Sequence, residues 1–120
     1  MKKIIILVLT FIFLFASCKT KIDVAETVGK NLDILTSSPM FASNILPYIE
    51  AHQAEYDEIV ALGNDALEYM FSVFEKGNQN GLRGWIMALA CCDILGIDTA
   101  FENPTAATGQ EWYDQYKTKE

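Results

Sequence analysis

From Leu82 to Ile97 the chain is apolar on nearly every side of any helix it could form, with Arg83 and Asp93 its only charges. A helix without a polar face is stable only inside a domain, surrounded by other elements. At 120 residues there is room for one domain, so this segment predicts a central helix with the rest of the chain wrapped around it. About half of the residues are apolar (51%) and a fifth are charged (21%), a balance that can build a core.

The flanking segments read as helix after helix. Val24, Val28, Leu32 and Leu35 recur at spacings of four, four and three. Asp23 with Glu26 resembles a capping box at the start of that stripe, Gly29 interrupts it, and Thr36-Ser37-Ser38-Pro39 ends it. A second helical stretch covers Asn44 to Ala51, with Ile45, Tyr48 and Ile49 on its apolar face and Pro47 tolerable in the first turn. Tyr56, Ile59, Val60 and Leu62 mark a third, stopped by Gly63. Asn64 is the expected cap of the next, and Asp65 complements its dipole. Leu67, Met70, Phe71 and Phe74 then form its apolar face, closed by Lys76 and Gly77. Gly77-Asn78-Gln79-Asn80-Gly81 is a turn. After Gly96 a loose connection containing Pro104 runs to Ala107, and Thr108-Gly109-Gln110-Glu111 opens a last helix through Trp112, Tyr113 and Tyr116. No stretch alternates for long enough to be a strand. The expected fold is all-α, a compact bundle of about five helices.

The beginning of the chain reads as an address. Met1-Lys2-Lys3 is basic, and Ile4 to Ala16 is almost unbroken Ile, Leu, Val and Phe. That run falls short of the roughly 20 residues a spanning helix needs, and has the plan of a secretory signal. Phe15-Ala16-Ser17-Cys18 resembles the lipobox of bacterial lipoprotein signal peptides, departing from it at Phe15, where leucine is usual. The resemblance implies a diacylglyceryl group on the Cys18 thiol, further acyl chains of the palmitate type, and cleavage that removes residues 1–17. Several acyl chains, at about 0.8 kcal/mol per buried methylene, anchor a protein durably without a spanning helix. Residues 18–22 would be the lipidated tether and 23–120 a single helical domain. Lys19, as the second mature residue, favours the outer membrane of a Gram-negative envelope, because an aspartate there resembles an inner-membrane retention signal.

The whole chain carries 16 acidic and 9 basic side chains, net −7. Without Lys2 and Lys3 the mature chain has seven basic residues against the same sixteen acidic ones, net −9. That balance argues against nucleic acid or an anionic lipid surface as the partner. A single histidine rules out multi-histidine metal sites, and three cysteines are too few for a disulfide scaffold.

Leu62-Gly63-Asn64-Asp65 returns as Leu95-Gly96-Ile97-Asp98, with a helix, a turn and a helix between. This stretch resembles a HEAT repeat of the short bacterial type. The similarity rests on Leu62-Gly63, Ala66-Leu67, Tyr69-Met70, Arg83, Ala88-Leu89 and Ile94-Leu95-Gly96, and covers Ile59 to Asp98. It implies one HEAT-like helix pair at the centre of the bundle rather than an extended solenoid, since only one full unit is present. The resemblance implies no specific activity.

The candidate chemical residues each have a structural reading beside the functional one. Cys91 and Cys92 are adjacent within the most apolar helix, where a disulfide between neighbours is geometrically excluded, so core packing is preferred to redox work. His52 has neither a nucleophile to serve nor a group to orient it, and reads as a surface residue. Glu55, Asp57 and Glu58 cluster at a helix start, where they complement the dipole; Glu68 and Glu75 read as solvated. Arg83 and Asp93, each isolated on an apolar helix, call for partners, with a carboxylate of a neighbouring helix expected for the arginine. Trp85, Trp112, Tyr113 and Tyr116 are core by spacing, but Trp112, Tyr113 and Tyr116 are also the natural docking face for a partner if the last helix leaves them exposed.

No catalytic, cofactor or metal constellation emerges. The expectation is a non-enzymatic module, lipid-anchored in the bacterial envelope at Cys18, that binds a protein partner of basic character. Inhibitor, immunity and accessory lipoproteins all fit that description. The alternative is a small-ligand binder with a cleft near Trp85 and Trp112.

Overall fold

The computed structural model describes residues 21–37, 44–97 and 106–119. Among them the chain is helical without a strand: α1 (Lys21–Leu35), α2 (Leu46–Ala51), α3 (Gln53–Ala61), α4 (Asn64–Glu75), α5 (Leu82–Leu95) and α6 (Gly109–Thr118). The all-α bundle is as expected. Six helices stand among the described residues against about five expected; His52, at φ −137° and ψ 50°, leaves helical geometry and divides α2 from α3, two stretches that the spacing already separates.

α5 is the centre. Gly84 and every residue from Ile86 to Cys92 are buried, a run that circles the helix almost twice. It packs against α3, α4 and α6, while α4 packs against α1, α5 and α6. The α4–α5 hairpin is therefore the element that the others close around. Its turn places Gly77 at φ 84° and Asn78 at φ 67°, the left-handed region that glycine and asparagine enter most readily. At the far end of α5, Gly96 adopts the left-handed conformation, and the Ile97 amide donates to the Cys92 carbonyl at 3.1 Å, the wrap-around bond that stops a helix.

The stripes read from spacing point inward. Val24, Val28, Leu32 and Leu35 of α1 are buried, as are Ala66, Met70 and Phe74 of α4, with Leu67 and Phe71 partly buried against them. Each fully buried aliphatic or aromatic side chain contributes about 1.5–3 kcal/mol, so the core rests on these helix faces.

α2 begins at Leu46, two residues after the expected Asn44, and the expected caps of two further helices are displaced. α1 begins at Lys21, so Asp23 lies in its first turn instead of capping it, and residues 21 and 22 of the supposed tether are helical. Gly63, at φ 61° and ψ −134°, occupies the cap position of α4, and Asn64 is its first helical residue. The one residue between α3 and α4 that can turn so sharply is the glycine, so it serves as both stop and start. At α6 the capping box forms: the Thr108 hydroxyl accepts from the Glu111 amide at 3.1 Å, and the Glu111 carboxylate accepts from the Ala107 amide at 2.7 Å.

Candidate functional site

The last helix buries most of its aromatic face. Trp112 is 6% and Tyr113 4% exposed, and Tyr116 is half-buried. Tyr113 stacks on Phe74 with ring centres 5.1 Å apart and meets Phe71 edge-on at 5.2 Å. Trp112 stacks on Tyr116 at 5.5 Å and tilts against Phe74 at 6.3 Å. Lys117 lies over the Phe71 ring, 5.9 Å from its centre. Trp112 and Tyr113 are thus core residues and not an exposed docking face, because α4 offers them Phe71 and Phe74. Only Tyr116 keeps partial access.

What seats α6 is polar and backbone-close. Gln110 reaches back to the α4–α5 corner: its amide donates to the Gln79 carbonyl at 3.0 Å, its side-chain oxygen accepts from the Gln79 amide at 3.1 Å, and its side-chain nitrogen donates to the Phe74 carbonyl at 3.0 Å. Gly109 lies directly on the start of α5, where a Cβ would overlap the Gly84 carbonyl; a Cβ on Gly84 would in turn overlap the carbonyl of Gln79. These residues hold α6 to the hairpin, and none of their roles was legible from composition or spacing.

Both charges of α5 find partners. Arg83 donates to Asp33 of α1 at 2.6 Å and, more weakly, to the Gly29 carbonyl at 3.4 Å. The expected carboxylate is there, but the pair is open to water, with side chains 38% and 76% exposed, so it contributes at most about 1 kcal/mol. Asp93 is exposed and accepts from the Tyr56 hydroxyl of α3. Burial first, then the hydrogen bond and charge of Asp93, push the Tyr56 phenol well above its ordinary range.

Cys91 and Cys92 are buried, with no exposed surface. Burial, and after it the neighbouring Cys92, push the Cys91 thiol far up, opposite to what a nucleophile needs. His52 is partly buried at the α2–α3 break, where its carbonyl accepts from the Tyr56 amide at 3.2 Å. Glu55 lies in the first turn of α3, as the dipole favours, and its carbonyl accepts from the side chain of Asn31, a buried polar residue of α1, at 3.3 Å. Asp57 accepts from Gln53 one turn earlier at 2.8 Å, and Glu58 is exposed. Among the described residues, no three of His, Cys, Asp and Glu are placed to hold a metal ion together.

What the described surface presents is carboxylate. Of the acidic residues described, all but Glu55 are exposed. Between Lys30 and Lys76 there is no lysine or arginine, so the outward faces of α2, α3 and α4 carry Glu50, Asp57, Glu58, Asp65, Glu68 and Glu75 without a cation of their own. Cys18 and Lys19 lie outside the described residues, and among those described no helix is long and apolar enough to cross a membrane. Comparison with protein-family models, curated proteins and solved structures yields no match.

Proposed function

We propose that this chain is a lipid-anchored, extracytoplasmic, non-enzymatic module that binds a cationic segment of another protein. The observation that carries the reading is the division of labour among the side chains. The buried thiols of Cys91 and Cys92 and the rings of Trp112 and Tyr113 are committed to the core, while α2 to α4 face outward with carboxylates and no lysine or arginine of their own. Such a surface attracts cationic partners over a Debye length of about 8 Å and repels anionic ones, giving selectivity and fast association more than raw affinity. The anchor rests on the resemblance of Phe15-Ala16-Ser17-Cys18 to a lipobox, and Lys19 favours an outer-membrane address in a Gram-negative cell. The α4–α5 hairpin, spanning most of the HEAT-like stretch, supplies the rigid centre that such a module needs. An inhibitor, an immunity protein or an accessory subunit would each work in this way.

The test is co-purification from gently solubilised native membranes at physiological salt, with Cys18→Ala as the unanchored control. The expected result is a near-stoichiometric partner that is released at high salt and lost from an Asp57→Lys, Glu58→Lys variant of unchanged helicity. A partner retained by the charge-reversed variant, or none with either form, overturns the reading.

A further inference from the structure

Building on the lipid anchor at Cys18, we infer that the domain has almost no free tether and is held directly against the bilayer, which restricts its partner to one that presents its cationic segment at the membrane surface. The argument is covalent. α1 begins at Lys21, so only Lys19 and Thr20 separate an acylated Cys18 from the first helical residue. Three residue steps reach at most about 11 Å even when fully extended. Acyl chains on Cys18 place that residue at the lipid headgroups, so the first turn of α1 stays within about two Debye lengths of them.

That first turn belongs to the rigid body. Val24 is 3% exposed and Val28 is fully buried, and α1 packs on α2, α3 and α4, so no hinge lies within α1 between its first turn and the core. The rise of an α-helix is about 1.5 Å per residue, so even the far end of α1 stands only some 20 Å further along its axis. A domain held in this way cannot sweep the space beyond the envelope surface as one on a long flexible linker does. Its acidic faces search a thin layer next to the lipid. A partner that is itself membrane-bound enters that layer at high effective concentration, whereas one held far from the membrane is out of reach.

The experiment uses the full lipidated chain in vesicles containing a small fraction of a headgroup-quencher lipid. A fluorophore is attached at Asp23→Cys, an exposed position in the first turn of α1; buried Cys91 and Cys92 do not compete for label, and Cys18 is acylated. A second form carries ten Gly/Ser residues between Thr20 and Lys21, which add about 18 Å of root-mean-square reach. The expected result is strong quenching at position 23 that falls several-fold on linker insertion. Weak quenching in both forms, or quenching unchanged by the insertion, overturns the inference. Flotation and intact mass are read on the same samples: a chain that carries acyl groups and floats but is not quenched breaks only this inference, whereas one that neither floats nor carries acyl groups breaks the anchor itself.

Discussion

Two glycines that face the central hairpin, one in α6 and one in α1, show how differently its sides are built. Gly109 opens α6 against the start of α5 with no room for a methyl group, since the Gly84 carbonyl occupies the space a Cβ would take. Gly29 lies in the middle of α1, and the nearest atoms to its missing Cβ are the Tyr69 hydroxyl at 3.9 Å and the Arg83 guanidinium at 4.0 Å, ordinary contact distances. The same contrast holds for the polar contacts. On the α6 side Gln110 makes three hydrogen bonds to the backbone of Gln79 and Phe74; on the α1 side Arg83 and Asp33 pair in water. One interface is fixed by steric necessity and buried aromatics. The other is fixed by an aliphatic stripe, with its glycine and its ion pair incidental.

The largest effect expected is at the aromatic seat of α6. Trp112→Ala removes a ring packed on Phe74 and Tyr116 and should cost about 3–5 kcal/mol, read as the shift in a urea-unfolding midpoint. A stability change below about 1 kcal/mol would show that Trp112 is not part of the core. Next comes Gly109→Ala. Overlap with backbone cannot be relieved by a side-chain rotation, so we expect a loss of about 3 kcal/mol and a fall in Tm of more than about 10 °C. If the variant melts like the wild type, the close approach of α6 to α5 is wrong.

Tyr56→Phe tests a polar contact made by a buried side chain of α3. Loss of its hydrogen bond to the exposed Asp93 should cost about 1 kcal/mol near neutrality. The pH dependence carries a sign. Folding holds the Tyr56 phenol neutral above its ordinary range near pH 10, so its contribution is complete below that pH and declines as the pH rises and the unfolded phenol ionises. The variant should therefore lose stability more shallowly than the wild type above pH 10, by up to about 1.4 kcal/mol per pH unit. Parallel alkaline limbs in the two proteins would contradict this. The smallest effect, and the one of opposite direction, is at Gly29. Gly29→Ala should raise stability by up to about 1 kcal/mol, because alanine fits and loses less backbone freedom in a helix. A destabilised variant would mean that the α1 side is as tightly built as the α6 side.

Much of the bundle was legible in advance because burial of a helix face leaves a periodic trace. The α1 and α4 stripes, the all-round burial of α5, the glycine stops at Gly63, Gly77 and Gly96, and the Thr108 capping box are all local consequences of spacing and backbone freedom. Gly29 and Gly109 mark the boundary of that legibility. As letters they are alike, each a glycine in a helix. Whether a methyl group fits depends on which backbone passes within contact distance, and that neighbour lies some 25 residues away for Gly109, at Gly84, and further still for Gly29, at Tyr69 and Arg83. Trp112 and Tyr113 are the same case: their spacing permitted core or docking face, and the position of Phe71 and Phe74 chose the core. The helices, the central place of α5 and the excess of negative charge follow from composition and from contacts within a few residues. Which aromatics are hidden and which glycine is obligatory depend instead on distances between segments that no local pattern encodes.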